Sequence, residues 1–489
     1  MVPDPQRSPG AGPRSPGGLE QQARALAAGE VSSAELVHTA LRAITDTQDT
    51  LNAFGIVRHD EARAEAAEAD RRLAAGERAP LLGVPVAIKD DTDLAGHPTA
   101  FGCPGDFPPA RADAEIVRRL RAAGAVIVGK TNTPEIGQWP FTESSAFGRT
   151  RNPWSLEHSP GGSSGGSAAA VSAGIVAGAT GSDGAGSVRI PASWTNLVGI
   201  KPQRGRISTW PQPESVNGLA GHGVLARTVT DAAYLLDVVA GQHAGDVHQP
   251  PPPTEPFRRA AEREPGRLRI ALSTAIPFSL VRTSLDPRIE AAVRRLAGVL
   301  ADLGHDVVEV DPPYGLIGVG FLARSHAGLH DWLVNVPDPS ALDPRTRRNC
   351  ANGRIAAGPV LRAARAVERW YAWRIGAVFR RADVVLAPTT ARPPLRLGAC
   401  DGLSNWATDQ VVAGACPYAW PWNVLGWPVV NVPAGFVGDG LPVGAQLVGP
   451  ACHEERLLSL AAQLEAVERW ERHQPPPIPV ESRVRGMTA

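Results

Sequence analysis

Two glycine–serine turns, separated by a small apolar segment, hold the residues of this sequence that are best suited to chemistry. The first turn, Gly161 to Gly166, reads GGSSGG, and the second, Gly184-Ala185-Gly186-Ser187, follows the apolar residues 168–177. Glycine lets backbone approach a ligand closely, so these turns predict peptide N–H groups and serine hydroxyls that converge on a small reacting group. Glycine–serine runs are usually flexible linkers, but a linker has no use for a buried apolar helix.

Lysine is rare in this chain. Of the 49 basic residues only three are lysines, Lys89, Lys130 and Lys201, and all the others are arginines. Arginine cannot lose its proton in a protein, whereas a buried lysine can. The retained lysines therefore indicate positions where arginine would not serve, and at least one of them is a candidate proton acceptor.

The stretch from His158 to Ser193 resembles the amidase signature family. The family pattern is GGSSGG, a buried helix, and then G-[ST]-D-x-G-G-S-[IV]-R-x-P-A. The 24-residue spacing between Ser163 and Ser187 fits this pattern. Ala185 stands where the family usually has glycine, and its methyl should be tolerated because that position offers a backbone N–H group.

Two further blocks carry the same resemblance. A strand-like stretch ends in Lys89 and Asp90 and matches the family pattern GxPxxxKD, and Gly199–Arg206 matches GxKP[TQ]xGR, where Lys201 is expected to be structural. The resemblance covers nearly the whole chain, from about residue 32 to about residue 470. It is therefore carried by several specific motifs and not by one.

The resemblance implies a serine amidohydrolase that needs no metal or other cofactor. Ser187 would be the nucleophile, Ser163, which lies before a cis peptide bond, would relay its proton, and Lys89 would be the base. The oxyanion would be held by the N–H groups of Gly184, Ala185, Gly186 and Ser187. The substrate would be a small amide, ester or carbamate, so esterase or urethanase activity is expected beside amidase activity.

Lys89 must be unprotonated to act as a base, although free lysine has a pKa near 10.4. Asp90 need not neutralise it, because neighbouring side chains of a strand point to opposite faces. We therefore expect Lys89 to lie among apolar residues and hydroxyls, without a carboxylate partner, so that desolvation lowers its pKa. Asp183 and Arg189 flank the second turn and are expected to brace it as an ion pair.

Two other motifs suggest different chemistry but lack the context that it requires. Gly124–Thr131 fits the phosphate-loop pattern GxxxxGK[ST], yet its intervening residues, AVIV, are typical of the strand itself and not of a loop after a strand. Gly161–Gly165 fits the GxSxG elbow, which must follow a hydrophobic strand, whereas residues 151–158 are irregular and polar. A Ser-His-Asp enzyme stays a weak alternative, because the chain has twelve histidines.

Helical and strand patterns alternate along the chain. Strands are predicted within 81–90 and at 125–128, 268–272, 307–310, 384–387, 429–432 and 443–447, and helices at 36–44 (after a capping box, Ser32–Glu35), 61–75, 116–123, 168–177, 289–303 and 454–467, with a further helix ending at Val239. This alternation predicts an α/β fold with a mixed central β-sheet covered by helices on both faces. The resemblance implies that these elements form one domain, with the amidase signature fold.

Composition limits the partners and the location. A net charge of zero gives no support for nucleic acid or an anionic membrane as a partner, and no apolar run reaches the roughly 18 residues of a membrane span. Residues 1–18 lack the apolar core of a signal peptide and are predicted to be a disordered tail, with 19–475 as the domain and 476–489 as a C-terminal tail. Five scattered cysteines form neither a disulfide framework nor a zinc motif, so we expect a cytoplasmic location. A monomer or homodimer is expected.

The substrate is the least constrained part of the prediction. Segments 210–222, 314–373 and 399–427 carry eight of the twelve tryptophans, and some of these are expected to line a pocket for an apolar or aromatic acyl group. A neutral aryl amide, ester or carbamate should therefore be a better substrate than glutamine. Two alternatives stay open: the glutamine-hydrolysing subunit of a tRNA-dependent amidotransferase, which requires partner chains, and a non-catalytic binding protein on the same scaffold.

Overall fold

The computed structural model describes residues 17–278, 281, 283–438 and 440–479. Of the predicted N-terminal tail, 1–18, only Gly17 and Gly18 lie within the described residues. Of the predicted C-terminal tail, 476–489, only residues 476–479 do. The domain bounds 19–475 stay a prediction.

Strands and helices alternate along the described chain. The strands are β1 (Phe54–Val57), β2 (Pro85–Lys89), β3 (Val126–Thr131), β4 (Glu143–Ser144), β5 (Gly148–Arg149), β6 (Gly178–Asp183), β7 (Val198–Lys201), β8 (Gly221–Ala226), β9 (Arg269–Leu272), β10 (Asp306–Glu309), β11 (Val384–Pro388), β12 (Val429–Val437) and β13 (Leu441–Val448). The α-helices are α1 (Leu19–Ala28), α2 (Ser33–Leu51), α3 (His59–Ala74), α4 (Glu115–Ala122), α5 (Gly165–Ser172), α6 (Arg189–Trp194), α7 (Val229–Val239), α8 (Phe257–Glu262), α9 (Pro287–Asp302), α10 (Ile317–Trp332), α11 (Pro344–Ala356), α12 (Pro359–Ala366), α13 (Glu368–Ile375), α14 (Asn405–Ala415), α15 (Pro421–Leu425) and α16 (Glu454–Glu468).

Eleven strands form one mixed sheet, in the order β1-β3-β2-β6-β8-β7-β12-β13-β11-β9-β10. The pairs from β3 through β2 to β6 are parallel, as are those from β11 through β9 to β10. The pairs between β6 and β11 are antiparallel, and so is β1 with β3. The predicted mixed sheet is confirmed.

Successive side chains of the buried strands pack into different cores. Val86 and Ile88 of β2 belong to a core that includes residues of α4, α7, α9 and α16. Ala87, between them, belongs to a second core with residues of α2, α3 and α5. Because the side chains of a strand alternate between its two faces, these two cores lie on opposite faces of the sheet. Helices therefore cover both faces, as predicted.

Most predicted elements are present, although some of their ends differ. The capping box of Ser32 and Glu35 begins α2, as predicted, but α2 continues to Leu51. The buried helix predicted over 168–177 is α5, which ends five residues earlier than that, at Ser172. It ends there because Gly174 takes a left-handed φ of +74°, a conformation that commonly terminates helices.

The phosphate-loop motif at 124–131 and the GxSxG motif at 161–165 both lack the secondary structure that their chemistry would require. Residues 126–131 are strand β3, and a short 3-10 turn at Glu135–Gly137 follows them where a phosphate loop would open an α-helix. No strand runs into Gly161 within the described residues 150–160. The structure therefore gives no support for a phosphate loop or a nucleophile elbow.

Candidate active site

The ends of two strands position the candidate catalytic residues. Lys89 is the last residue of β2. The strand β6 lies beside β2 in the sheet, runs parallel to it and ends at Asp183. Since parallel strands end at the same edge of a sheet, the turn after β6, which contains Ser187, begins on the side where Lys89 ends. Ser163 lies just before α5, whose C-terminal end leads back into β6.

Lys89 is fully buried and hydrogen-bonds to two serine hydroxyls. Its Nζ lies 2.7 Å from Ser163 Oγ and 2.8 Å from Ser182 Oγ. Nζ also lies over the ring of Phe101, 5.9 Å from its centroid. The predicted partnership of Lys89 with Ser163 is therefore present as a direct hydrogen bond.

The expectation that Lys89 has no carboxylate partner is wrong. Asp91 Oδ2 lies 3.3 Å from Lys89 Nζ, and Asp91 also accepts a short hydrogen bond from Ser182 Oγ. Burial nevertheless dominates, because the pKa of Lys89 falls below its ordinary value through desolvation, opposed by the charge of Asp91. Burial therefore favours the neutral form of Lys89 more than water does. The neighbouring carboxylate of Asp91 would stabilise the protonated form of Lys89 once a proton is transferred to it.

The other two lysines are also buried, but their partners differ. Lys130 Nζ lies 2.9 Å from Asp90 Oδ1, so Asp90 pairs with Lys130 and not with Lys89, as strand alternation predicts. Lys201 Nζ donates to the carbonyl of Pro202 over 2.8 Å. Burial and the neighbouring Arg189 lower the pKa of Lys201 to about 7.

Ser163 follows a cis peptide bond. The cis bond joins Gly162 to Ser163, so it precedes the serine, and the expectation that it would follow is corrected. Gly137 lies against this turn with a φ of +62°, and a Cβ at that position would come within 3.2 Å of Ser163 Oγ. Ser187 carries the carbonyl that accepts the N–H of Ser164, over 3.1 Å, so the two serine turns are directly joined.

A fully buried ion pair holds the Ser187 turn. Arg189 donates through Nε and Nη2 to the two carboxylate oxygens of Asp183, each over 2.9 Å. Asp183 Oδ1 also accepts the N–H of Gly186 over 2.7 Å. The predicted brace is therefore present, and it occupies the N–H of Gly186, one of the four groups expected in the oxyanion hole.

A cavity of about 1120 Å³ opens beside both serines. Ser163, Ser187, Gly184 and Ala185 all lie in its wall. Much of the remaining wall is aromatic, and comes from Phe101, Phe107, Trp139, Phe278, Phe321, Trp332, Trp406 and Trp420. Of the eight tryptophans in the segments expected to form a pocket, three are in this wall, and Trp139 joins them from elsewhere.

Asp91 and Ser182 were not identified from the sequence as site residues. Strand alternation excluded Asp90 as the partner of Lys89, because neighbouring side chains point to opposite faces. The same alternation places Asp91 on the side of Lys89, so Asp91 could have been found from the sequence. Ser182 stands at the [ST] position of the family pattern, beside Asp183. It bridges Lys89 and Asp91 by hydrogen bonds to both.

The described part of the chain contains no group of three or more His, Cys, Asp or Glu side chains that could hold a metal ion. None of its described helices is long and apolar enough to cross a membrane.

The chain is similar to known proteins over nearly its whole length. The family model "Amidase" matches residues 35–458. The protein of Mycobacterium tuberculosis named "Putative amidase AmiA2" is 58% identical over 452 residues, which are 92% of this chain and 93% of that protein. The solved structure of a 6-aminohexanoate cyclic dimer hydrolase with its substrate has a TM-score of 0.85 and 32% identity, covering 94% of this chain and 99% of that one. A bacterial aryl acylamidase of the amidase signature family has a TM-score of 0.82 and 26% identity, covering 95% and 98%. The chain therefore belongs to the amidase signature family of hydrolases.

Proposed function

We propose that this protein is a serine amidohydrolase that cleaves C–N bonds through an acyl-enzyme on Ser187. One observation carries the proposal: the Nζ of the fully buried Lys89 lies 2.7 Å from the Oγ of Ser163, and Ser163 shares a cavity wall with Ser187. A serine hydroxyl is a weak nucleophile without an adjacent base. A lysine whose pKa is lowered by burial can supply that base.

The proposed reaction has two halves. Ser187 Oγ attacks the substrate carbonyl while its proton passes to Ser163 and the proton of Ser163 passes to Lys89. The relay then returns a proton to the leaving amine, and the acyl group stays on Ser187. Water releases the acyl group by the same route, so the free enzyme is restored with Lys89 neutral.

Backbone N–H groups of the Ser187 turn are proposed to hold the oxyanion. The N–H of Gly186 donates to Asp183, so stabilisation would come mainly from Gly184, Ala185 and Ser187, for which the described residues offer no hydrogen-bond acceptor. One effective donor of this kind contributes about 3–4 kcal/mol in known cases. The ion pair of Asp183 with Arg189 would keep this turn in its shape.

The aromatic wall of the cavity supports a neutral, apolar or aryl acyl group as the preferred substrate. The solved aryl acylamidase, similar in fold and family, supports the same choice. Ester and aryl carbamate cleavage is proposed as a side activity, because the same acyl-enzyme would form from either.

A panel of substrates tests this proposal. Purified protein is assayed with an anilide, an aliphatic amide, an aryl carbamate, an aryl ester and glutamine, and we expect the aryl substrates to give the highest kcat/KM. A preference for glutamine would instead favour an amidotransferase subunit, and no turnover of any substrate would favour a binding protein. An amide with a free amino group is included, because the wall also contains Asp409, whose pKa burial raises to about 6.

A further inference from the structure

Helices α11–α13 carry a charge that the net charge of the chain conceals. Residues 344–375 contain eight arginines and one glutamate, a net charge of +7, although the whole chain has 49 basic and 49 acidic residues. The glutamate, Glu368, pairs with Arg204 and Arg324, which belong to other parts of the chain. It is therefore unavailable to offset the arginines on the outer surface of these helices.

Most of these arginines have no carboxylate partner. Arg345 pairs with Asp343 and Arg365 pairs with Glu214. For the other six, no ion pair exists within the described part of the chain, and all six are exposed: Arg347, Arg348, Arg354, Arg362, Arg369 and Arg374. The outer surface of α11–α13 is therefore strongly and locally positive.

Exposed apolar side chains lie among these arginines. Val360, Val367, Trp370 and Trp373 are 52%, 42%, 50% and 67% exposed. The first three fall at helical spacing, and Val367 joins α12 to α13 without leaving the right-handed helical region (φ −79°, ψ −7°). The guanidinium of Arg374 stacks over Trp370 at 5.4 Å. We call the residues Val360, Arg362, Val367, Arg369, Trp370, Trp373 and Arg374 the basic stripe.

A second copy of this chain is a poor occupant for the basic stripe. A symmetric dimer would place the same patch on both partners, and would bring two positive surfaces together. An anionic partner fits the charge, and exposed tryptophan and valine fit one that also accepts apolar side chains. A surface that combines arginine with exposed tryptophan fits the face of an anionic bilayer, where basic groups contact the headgroups and aromatic rings enter the interfacial layer.

We propose that the basic stripe docks the protein on the surface of an anionic lipid bilayer. Arginines would bind lipid headgroups, and Trp370 and Trp373 would enter the interfacial layer. The whole-chain charge gave no support for such a partner, because it averages this surface with acidic regions elsewhere. The inference does not depend on the proposed amidase activity, since binding is measured without turnover.

Flotation of the full-length protein with vesicles tests the inference. Vesicles of phosphatidylcholine alone are compared with vesicles of equal parts phosphatidylcholine and phosphatidylglycerol, at low and at high salt. We expect binding to the anionic vesicles only, and a loss of binding as salt screens the charges. At low salt, the triple substitution R362Q/R369Q/R374Q should weaken binding about a hundredfold. W370A/W373A should also weaken binding at low salt, because the two indole rings would no longer enter the interfacial layer.

A matched triple variant, R24Q/R63Q/R71Q, removes three exposed arginines of α1 and α3, and should bind like the unmodified protein. Circular dichroism confirms that each variant is folded. The inference is overturned if neutral vesicles bind equally well, if anionic vesicles do not bind at low salt, or if R362Q/R369Q/R374Q binds like the control. Tighter binding to a single-stranded oligonucleotide than to vesicles of equal phosphate content would also overturn it, in favour of nucleic acid.

Discussion

The carboxylate of Asp91 lies 3.3 Å from the ammonium nitrogen of Lys89, and both side chains are buried. The two groups have opposite effects on the proposed base. Burial lowers the pKa of Lys89, while the negative charge of Asp91 raises it. The pH at which the proposed base becomes active is therefore set by a balance between these two effects.

Replacing Asp91 with asparagine should shift this balance in a known direction. Without the carboxylate, the protonated form of Lys89 loses its main stabilisation, so its pKa falls further. Because the reaction needs neutral Lys89, the rise of kcat/KM with pH should move to lower pH in Asp91→Asn. A pH profile of the variant and the unmodified protein measures the shift.

Asp90→Asn is the matched control for that experiment. Asp90 is one residue earlier and equally a carboxylate, but it pairs with Lys130. Asp90→Asn should therefore leave unchanged the pH at which kcat/KM rises. A shift of the profile to higher pH in Asp91→Asn, or equal shifts in both variants, would contradict the assignment of Lys89 as the base.

Lys89→Arg should reduce activity strongly while keeping a cation in the site. Arginine can still pair with Asp91, but it cannot give up its proton to become a base. We expect kcat to fall at least about a hundredfold, the lower range for loss of a general base, with a melting temperature close to that of the unmodified protein. Substantial turnover by a folded Lys89→Arg variant would rule out the serine–serine–lysine relay.

Asp183→Asn should destabilise the fold as well as the site. The substitution leaves the buried guanidinium of Arg189 without a countercharge, which costs about 3–5 kcal/mol in comparable buried pairs. Urea unfolding at neutral pH measures the loss. Asp46→Asn serves as a control, because Asp46 pairs with Arg42 at the surface over 3.5 Å, where pairs contribute about 0–1 kcal/mol. Equal losses in the two variants would refute the role of Asp183 as a brace.

Lys201 gives a prediction about stability and pH. Its pKa is about 7 in the folded protein against an ordinary 10.5, so between these pH values the unfolded chain binds a proton that the folded chain has lost. Stability should therefore increase with pH across this window. Lys201→Met should be more stable at pH 7 by about 1–4 kcal/mol, as when other buried charges are replaced by apolar residues.

The stability of Lys201→Met should increase less between neutral and alkaline pH than the stability of the unmodified protein. Melting temperatures at several pH values compare Lys201→Met with the unmodified protein. A Lys201→Met variant that is less stable at pH 7 would show that the hydrogen bond of Lys201 to Pro202 outweighs the cost of burying the lysine. An unchanged dependence of stability on pH would contradict the lowered pKa of Lys201.

The sequence was sufficient for much of the fold, because local signals and burial agree there. The capping box at Ser32 begins α2, and the short apolar runs at 384–387 and 443–447 are buried strands of the central sheet. The order of the strands could not be predicted in this way, since it depends on contacts between distant residues. The end of α5 was misplaced because alanines continue after it, and a left-handed glycine overrides their helical preference.

The candidate site was predicted in its residue types but not in its electrostatics. The resemblance to the amidase signature family identified Lys89, Ser163 and Ser187, and the rarity of lysine supported the choice of Lys89. Ser163 and Ser187 lie in the wall of one cavity, and the buried Lys89 is hydrogen-bonded to Ser163. Asp90 follows Lys89 directly and is the carboxylate that the motif GxPxxxKD contains, whereas the partner of Lys89, Asp91, lies outside that motif. The sequence also could not show that Asp183 accepts the N–H of Gly186, because that contact depends on the shape of the turn.

The most direct test of the central claim is the position of a trapped acyl group. The protein is treated with a slowly hydrolysed aryl carbamate or an acyl-serine inhibitor, digested with trypsin, and analysed by fragment masses across the peptide 152–189, which contains both serines. We predict a single adduct on Ser187, none in Ser187→Ala, and an unchanged fold in that variant. An adduct on Ser163 or another residue, or one that persists in Ser187→Ala, would contradict the account.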